Sequence, residues 1–243
     1  MSLVSVQHLS KHFGAFTAVD DVSLSVAKGE VLGFLGPNGA GKTTTMRMIT
    51  GYLEPSIGSV TIDGIDIAKQ AQKAKAKIGY LPEGAPLYPD MTARQILHYF
   101  GEVRGLTSDY IAERVEAMIA LLHLESVSEQ TIDTLSKGFK RRVGLGVALL
   151  HDPEILILDE PTDGLDPLQK HEVRTLIRQM SGEKAIIIST HILEEVEAVC
   201  SRAAIIAEGK IVADGTPQSL LKTHGHASLD DMFRALAGRK EPA

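Results

Sequence analysis

The sequence has very little cysteine and no long apolar run. Of its 243 residues, Cys200 is the single cysteine, which excludes a disulfide within the chain and favours a reducing compartment such as the cytosol. No segment approaches the ~18 consecutive apolar residues that a membrane-spanning helix requires, and the N-terminus lacks a signal-peptide pattern. We therefore expect a cytosolic protein that reaches a membrane only through a partner.

Positive charge is also scarce. The chain has 25 lysines and arginines against 31 aspartates and glutamates, with a net charge of -6 and no basic block, so we expect no nucleic-acid partner. A chain of this length with 44% hydrophobic residues can bury a sizeable core. The composition predicts an ordinary globular protein, either one elaborated domain or two closely associated lobes.

What the sequence does contain is a complete phosphate-binding pattern, G-x-x-x-x-G-K-[ST], from Gly36 to Thr43. An apolar run at 31–35 predicts a buried strand before it, and residues 44–49 predict a helix after it, which is the context that the pattern requires. A glycine-rich turn without a ligand is the alternative, and so complete a match disfavours it. Lys42 would reach the β- and γ-phosphates, and the Thr43 hydroxyl would bind Mg²⁺. The candidate nucleotide-binding residues of the loop are Asn38, Gly39, Ala40, Gly41, Lys42, Thr43 and Thr44.

Two adjacent carboxylates follow an apolar run at 155–158. At this strand end Asp159 could hold Mg²⁺, and Glu160 could polarise a water molecule for attack on the γ-phosphate. Alone, the pair is more simply interpreted as a strand end that enters a polar loop. Together with the phosphate loop it predicts the second half of an ATPase site. His191 follows a similar apolar run at 185–188, and its place at the same sheet edge favours a functional role.

Hydrophobic periodicity predicts the elements before the carboxylates. Alternating residues near Val4 and at 22–26, with an Asp-Gly hairpin at 60–67, indicate an antiparallel β layer. From about 89 to 150, apolar residues recur at spacings of three and four. This region is predicted to be helical.

The second half of the chain predicts parallel strands. The apolar runs at 155–158 and 185–188 are typical of strands covered on both faces, and a helix at 167–180 lies between them. A second hairpin is predicted at 204–213. A capping-box-like start at Ser228 predicts a last helix, which would dock through an apolar face formed by Leu229, Met232, Phe233 and Leu236.

Taken together, residues 1–222 resemble the ATPase subunit of an ATP-binding cassette (ABC) transporter. Beyond the phosphate loop, the motifs that carry the resemblance are Ile78–Glu83 (the Q-loop), Leu135–Phe139 (the signature), Leu158–Thr162, Asp163–Asp166 (the D-loop) and His191 (the switch histidine). The resemblance implies an α/β fold, a P-loop NTPase core with a mixed sheet, an N-terminal antiparallel β layer and an inserted helical lobe at about 84–150. A C-terminal tail with a short amphipathic helix would follow at 223–243.

The resemblance also implies the ligands ATP and Mg²⁺ and residues that hold them. Phe13 would stack on adenine with Val19 nearby, although without the family Phe13 is more simply a core residue. Glu83 would join Thr43 and Asp159 as a Mg²⁺ ligand. The implied catalytic residues are Glu160, His191 and Lys42.

The family's signature lies on the helical lobe, far from the phosphate loop of its own subunit. Ser136 and Gly138 lie at a predicted helix start, which is a favourable anion site, and Asp166 belongs to the D-loop. The resemblance implies that these residues bind a nucleotide held by a second copy of the chain. The implied active form is a head-to-tail dimer with two ATP molecules at its interface.

Four positions depart from the family pattern. Lys137 replaces a glycine and Phe139 a glutamine in the signature, so a positive charge is added and a possible polar contact is lost. Glu83 replaces the Q-loop glutamine and places an anionic group where a neutral one is expected. Asp163 stands where serine or asparagine is common.

These observations predict an ATP-hydrolysing subunit, peripheral at the inner face of the cell membrane, that powers a separate membrane permease. The Q-loop and signature sequences favour an exporter. Leu87 and Tyr88, in the segment 84–89, would contact the coupling helix of the permease, unless they only cap the local core.

A soluble ABC ATPase that acts on nucleic acid or ribosomes is the alternative function. One cassette in the chain, the lack of a long coiled-coil insertion and the acidic composition oppose it. A P-loop kinase or GTPase is a further alternative, which lacks an Asn-Lys-x-Asp segment and leaves the signature unexplained.

Overall fold

The computed structural model describes residues 2–226 and 228–237, so residues 227 and 238–243 of the predicted tail lie outside the described residues. Within these ranges the chain alternates strands with helices. The strands are β1 (Ser2–Phe13), β2 (Phe16–Ala27), β3 (Val31–Leu35), β4 (Ile57–Ile62), β5 (Ile65–Asp66), β6 (Ile78–Leu81), β7 (Ile155–Asp159), β8 (Ala185–Thr190), β9 (Arg202–Ala207) and β10 (Lys210–Gly215). The helices are α1 (Lys42–Ile49), α2 (Ala71–Ala76), α3 (Ala93–Val103), α4 (Ser108–Leu121), α5 (Lys137–Leu149), α6 (Pro167–Met180), α7 (Leu193–Val199), α8 (Pro217–His224) and α9 (Leu229–Ala237).

The first sheet is antiparallel and has the strand order β2-β1-β4-β5. Val4 and Val6 of β1 are buried because alternate side chains of a strand face the same side. Asp63 and Gly64 join β4 to β5 with positive φ angles of 46° and 75°, the conformation that Asp-Gly tolerates in tight hairpins. The predicted N-terminal antiparallel β layer is confirmed.

The second sheet is mixed and has the strand order β10-β9-β3-β8-β7-β6. Its strands run parallel except β10, which is antiparallel to β9. Every residue of β3, β7 and β8 is buried, as the continuous apolar runs predicted for strands covered on both faces. The predicted α/β class with a mixed sheet is therefore confirmed.

The second sheet lies between two apolar layers. Along β7, Ile155 and Ile157 pack in a cluster with the first sheet and α1. Leu156 and Leu158 point to the other face and pack with α3, α4, α5 and α6. Because both faces are filled, the carboxyl ends of the strands form a well-supported edge.

The predicted helical region lies between two strands that pair directly with each other, β6 and β7. Thr92 begins α3 with a capping box, in which its side chain accepts from the Gln95 N–H and the Gln95 side chain accepts from the Thr92 N–H. Ser136 begins α5 in a similar way, accepting a hydrogen bond from Phe139 N–H. The helix α5 therefore starts at Lys137, between Ser136 and Gly138, where the helix start was predicted.

The last helix packs on the second sheet. Leu229 and Met232 of α9 are buried in a cluster with residues of β9, and Phe233 and Leu236 pack against it. Ser228 accepts a 3.1 Å hydrogen bond from Asp231 N–H at the helix start. The predicted cap and docking face are confirmed. Among the described residues, no helix is both long enough and apolar enough to cross a membrane.

Candidate active site

The phosphate loop and two catalytic candidates meet at the carboxyl edge of the second sheet. β3, β8 and β7 are neighbours in it, and Leu35 at the end of β3 pairs with Thr190 at the end of β8. Parallel strands deliver the segments that follow them to the same edge. The phosphate loop after β3, Glu160 after β7 and His191 after β8 therefore lie together.

The phosphate loop surrounds a cavity of about 380 Å³. Gly41, with φ of 103°, precedes α1, and a Cβ at this position would lie 2.6 Å from the carbonyl oxygen of Ala18. A Cβ at Gly36 would lie 2.6 Å from the carbonyl oxygen of Ile206. Both glycines are therefore required by close backbone contacts. The predicted loop residues that line the cavity are Asn38, Gly39, Gly41, Lys42, Thr43 and Thr44.

Ala40 is the one predicted loop residue that does not line this cavity. It is 4% exposed, and its carbonyl accepts a 3.0 Å hydrogen bond from Gly209 N–H in the β9–β10 turn. This contact fastens the loop to the second hairpin.

Lys42 is a buried cation at the centre of the site. Its side chain is 6% exposed, and its ammonium lies 3.5 Å from the Oε1 atom of Glu160. The same ammonium donates hydrogen bonds to the carbonyls of Gly36, at 2.8 Å, and Pro37, at 3.3 Å. The positive charge is thus held directly beside the cavity and beside the catalytic carboxylate candidate.

Glu160 connects this cation to the switch histidine. Its Oε2 atom lies 2.9 Å from Nδ1 of His191, and its N–H donates a 3.0 Å hydrogen bond to the Ser189 carbonyl. Glu160 has a φ angle of 51°, a conformation that costs a residue other than glycine energy unless its surroundings impose it. The site therefore contains a continuous chain of charged and polar groups from Lys42 through Glu160 to His191.

Asp159 is fully buried at the end of β7. Its Oδ1 atom accepts a hydrogen bond from the Ser189 hydroxyl, whereas Oδ2 is buried without a hydrogen-bond partner. A buried carboxylate oxygen without a partner indicates a binding position for a ligand, since buried polar atoms are nearly always paired. The donor set of Asp159, Thr43 and Glu83 is all oxygen and fits Mg²⁺.

Glu83 follows β6 and is exposed, and it lines the same cavity as Thr43. The described residues contain no group of three or more histidine, cysteine, aspartate or glutamate side chains arranged around a metal position. Asp159 does not line this cavity, so the prediction that it joins Thr43 and Glu83 around one Mg²⁺ stays a prediction. Mg²⁺ usually takes one or two protein carboxylates and completes its shell with phosphates and water.

Arg141 is a site residue that the sequence reasoning missed. It lies on α5, is 6% exposed, and its guanidinium donates hydrogen bonds to the carbonyls of Pro82, Asp159, Glu160 and Pro161. Burial lowers the pKa of Arg141. One side chain of the signature helix thus holds the backbone of both the Q-loop and the catalytic carboxylates.

The signature and D-loop residues do not line the cavity of their own chain. Ser136 is exposed at the start of α5, and Gly138 packs against the Gln169 side chain. Asp166 caps α6 by accepting a 2.9 Å hydrogen bond from Gln169 N–H. The prediction that Ser136, Gly138 and Asp166 contact a nucleotide stays a prediction, and it requires a second copy of the chain.

Two departures from the family pattern pair with each other. The ammonium of Lys137, in the signature, lies 3.0 Å from Oδ2 of Asp163 in the D-loop. This hydrogen bond lowers the pKa of Asp163. The pair joins the signature to the D-loop within one subunit.

Two exposed aromatic residues, Phe13 and Phe16, differ in their position relative to the cavity. Phe13 is 50% exposed and pairs across the β1–β2 hairpin with Phe16, which is 63% exposed. Phe16 and Ala18 line the cavity and Phe13 does not. Stacking on adenine by Phe13 stays a prediction, with Phe16 as an aromatic that the sequence reasoning missed.

The prediction that Val19 lies near the nucleotide stays a prediction. Its side chain is fully buried, and its Cγ2 atom lies beneath Gly41, 3.3 Å from where a Cβ on that glycine would be. Val19 therefore supports the phosphate loop from the core and presents no surface to a ligand.

Comparisons with known proteins agree with this geometry. Residues 19–163 match the family model described as ABC transporter. The linearmycin resistance ATP-binding protein LnrL of Bacillus subtilis (strain 168) is 38% identical over 92% of this chain and 72% of its own length. The ABC transporter ATP-binding protein NatA of the same organism is 42% identical over 89% of each chain. The Nod factor export ATP-binding protein I of Paraburkholderia xenovorans (strain LB400) is 38% identical over 95% of this chain and 76% of its own.

Solved structures show the same fold. The ATP-binding subunit of an ABC transporter superposes with a TM-score of 0.89 and 32% identity, over 97% of this chain and 99% of that one. A dimeric ATP-binding cassette in a post-hydrolysis state, bound to ADP and Pi, superposes with a TM-score of 0.80 and 22% identity over 88% and 98% of the two chains. The family match, the relatives and the first of these structures identify the chain as an ATPase cassette: it belongs to the ABC transporter family.

Proposed function

We propose that this chain is the ATP-hydrolysing subunit that powers export through a separate membrane permease. The chain of contacts from Lys42 through Glu160 to His191, beside the phosphate-loop cavity, carries the proposal. The names of two relatives support the direction of transport, because they refer to linearmycin resistance and to Nod factor export. No basic block accompanies the site, which supports a transporter over a nucleic-acid ATPase.

In the proposed site the backbone N–H groups of the phosphate loop and the start of α1 bind the phosphates of ATP. Mg²⁺, held by Thr43, Asp159 and Glu83, would supply charge neutralisation between the β- and γ-phosphates. Lys42 exchanges its contacts with Glu160 and the loop carbonyls for the phosphates. The Glu160 carboxylate is then free to orient the attacking water and accept its proton.

His191 has the second polar role. Its Nδ1 atom is 2.9 Å from Oε2 of Glu160, and its side chain is 43% exposed. The imidazole orients the Glu160 carboxylate and presents its other nitrogen to the γ-phosphate. This arrangement explains why a polar, half-exposed side chain follows a fully buried strand.

The proposed active form is a head-to-tail dimer. Ser136 and the first residues of α5 do not line the cavity of their own chain, and their hydroxyl and N–H groups would bind the phosphates held by the partner subunit. The helical region at about 84–150 would act as a lobe that carries this surface. The solved dimeric cassettes have the same fold as this chain.

The proposed permease contact is a groove beside the Q-loop. Tyr52, 73% exposed, and Val103, 62% exposed, line a cavity of about 670 Å³ between α2 and α3. Nearby, the 51% exposed ring of Tyr88 packs edge-on against Tyr99 with centroids 5.6 Å apart. Leu87 packs against the core instead. Exposed aromatic patches of this kind are typical of interaction sites, and a permease bound here would hold the chain at the inner face of the cell membrane.

The test is Glu160→Gln, which keeps the shape of the side chain and removes its charge. We expect ATP turnover to fall by about 10²- to 10⁴-fold while ATP still binds. Size-exclusion chromatography with ATP should then show a dimer for Glu160→Gln and mostly monomer for the parent. The control, Glu160→Gln combined with Lys42→Ala, should not dimerise because it binds ATP poorly. A monomeric Glu160→Gln variant with parental turnover would exclude Glu160 from the mechanism and refute the proposal.

A further inference from the structure

A buried carboxylate lies directly beneath the loop that carries His191. Glu195, on α7, is 2% exposed. Its Oε2 atom accepts a 2.7 Å hydrogen bond from the Thr190 hydroxyl, and that hydroxyl accepts a 3.0 Å hydrogen bond from Ile192 N–H. The residues on both sides of His191 are therefore held by one contact to Glu195.

Thr190 connects this contact to the phosphate loop as well. It is fully buried, and its carbonyl accepts a 3.3 Å hydrogen bond from Gly36 N–H. The first glycine of the phosphate loop, the switch histidine and Glu195 are thus joined through one threonine. A change at Glu195 would act on the backbone between two functional groups.

Two complementary polar atoms on α6 and α7 are buried without partners. They are Oε1 of Glu195 and Nε of Arg174, which lies on α6. Another nitrogen of the Arg174 guanidinium lies 3.7 Å from the carboxylate of Glu194, whose side chain is 82% exposed. An unpaired buried oxygen and an unpaired buried N–H are each costly. Pairing Glu195 with Arg174 would satisfy both atoms with a charge-assisted hydrogen bond.

Opposing charges act on the Glu195 carboxylate. Burial raises the pKa of Glu195, and the negative charge of Glu160 raises it further, whereas the Thr190 hydroxyl and the cations Arg174 and Lys170 of α6 lower it. Cys200, at the end of α7, is a further neighbour, and its thiol pKa is raised to about 12, first by burial and then by Glu195. The cations that face Glu195 therefore come from α6.

We propose that Glu195 is a positioning residue for ATP hydrolysis, which forms with Arg174 a pair that this structure does not contain and thereby fixes the loop of His191 against α6. The inference rests on the proposed roles of His191 and Glu160. Because Asp166 of the D-loop caps α6, this pair would give the D-loop helix a direct connection to the switch histidine. Glu195 acts through His191 and touches neither ATP nor the attacking water.

The first variants are Glu195→Gln and Arg174→Gln. In Glu195→Gln the amide oxygen would still accept from Thr190, but the side chain has no charge to pair with Arg174. For both variants we expect kcat to fall by about 10- to 100-fold with little change in KM, since a displacement on the order of 1 Å has this effect on a catalytic group. Arg174→Lys should recover part of the loss. Glu194→Gln is the matched control, since it removes an exposed carboxylate one residue away, and its kcat should stay within about twofold of the parent.

A second measurement separates positioning from a merely structural role. Glu195→Gln and Arg174→Gln are each combined with His191→Ala, and hydrolysis is followed in single turnovers, which resolve slow rates. If Glu195 acts through His191, either second substitution should change the rate of His191→Ala by less than about twofold. A merely structural residue would lower the rate in both backgrounds by the same factor.

Three results would overturn the inference. They are parental kcat in Glu195→Gln and Arg174→Gln, an equal loss in the His191→Ala background, and an equal loss in Glu194→Gln. Should Glu195→Gln not fold, the Arg174 variants decide alone, because Arg174 is partly exposed. Failure of the proposed function is recognised separately, since His191→Ala and Glu160→Gln would then themselves keep parental turnover.

Discussion

Replacement of Arg141 by methionine should reduce ATP turnover without removing any group that contacts ATP. The Arg141 guanidinium donates hydrogen bonds to the carbonyls of Pro82, Asp159, Glu160 and Pro161. Methionine fills a similar volume and donates no hydrogen bond. The backbone of Glu160, which has a φ angle of 51°, would lose one of the two contacts of its carbonyl and keep the hydrogen bond from the Asp163 N–H.

The magnitude follows from the contacts. A buried carbonyl without a partner costs about 1–3 kcal/mol. The Pro82 and Glu160 carbonyls also accept hydrogen bonds from the Ala85 and Asp163 N–H groups, so only the Asp159 and Pro161 carbonyls are counted, at about 2–6 kcal/mol in total. The variant no longer buries a guanidinium, which offsets part of this cost. We expect a net destabilisation of about 1–3 kcal/mol and, since a displacement on the order of 1 Å costs a catalytic group about 10²-fold, a decrease in kcat of that size.

The assay is steady-state ATP hydrolysis at saturating Mg²⁺, with thermal unfolding measured on the same preparations. Arg142→Met is the matched control. Arg142 is adjacent on α5, its side chain is 13% exposed, and it pairs with Glu172 and stacks on Phe139 at 5.5 Å. Arg142→Met should lose stability while kcat per folded molecule stays parental. The reasoning is refuted if Arg141→Met keeps the parental kcat, or if both variants lower kcat by the same factor.

Three further predictions concern the metal, the groove and pH. Glu83→Gln should raise the Mg²⁺ concentration for half-maximal hydrolysis and leave metal-free ATP affinity equal or better, because one repelling charge is removed; a Mg²⁺ titration identical to that of the parent would show that Glu83 is not a ligand. Tyr88→Glu should weaken co-purification with the permease while the isolated subunit keeps its ATPase activity, and unchanged permease binding would contradict the interface. Burial lowers the pKa of His151 from 6.5 to about 4, so its contribution to stability is complete above pH 6.5 and is lost as pH falls toward 4. Free energies of unfolding from urea titrations at about pH 7 and 5 should differ by about 1–2 kcal/mol more for the parent than for His151→Gln, and equal differences would contradict this.

The sequence predicted the order of the elements because periodicity and motif agreed at each step. Continuous apolar runs predicted strands that are covered on both faces. The glycine pattern between a strand and a helix predicted the phosphate loop. Glu160 and His191 were found because they follow such runs directly. Their mutual contact could be anticipated from the rule that parallel strands end at one edge.

Contacts between distant segments could not be predicted. Arg141 lies at helical spacing between Gly138 and Leu145, and all three residues are buried. A charged residue on the buried face of α5 was therefore a signal of a specific polar contact. Its four carbonyl partners come from two other segments of the chain, and no sequence pattern encodes them. The pairing of Lys137 with Asp163 was missed for the same reason, because each residue was considered only as a departure from the family pattern.

The residues of the β1–β2 hairpin show a different limit of prediction from sequence. Val19 and Phe13 were selected by resemblance, yet the hairpin residues that line the cavity are Phe16 and Ala18 of β2. Val19 follows Ala18 directly and is buried, because successive side chains of a strand point to opposite faces. The sequence alone does not indicate which face of β2 borders the cavity.

The central claim is that this chain hydrolyses ATP at the phosphate-loop cavity with Lys42 at its centre. The most direct measurement compares ATP affinity and turnover of the purified parent with those of Lys42→Ala. Hydrogen bonds to a charged group contribute about 1.5–3 kcal/mol, so affinity should fall by about 10- to 100-fold. Turnover should be lost together with affinity. A Lys42→Ala variant that binds and hydrolyses ATP like the parent would contradict the account.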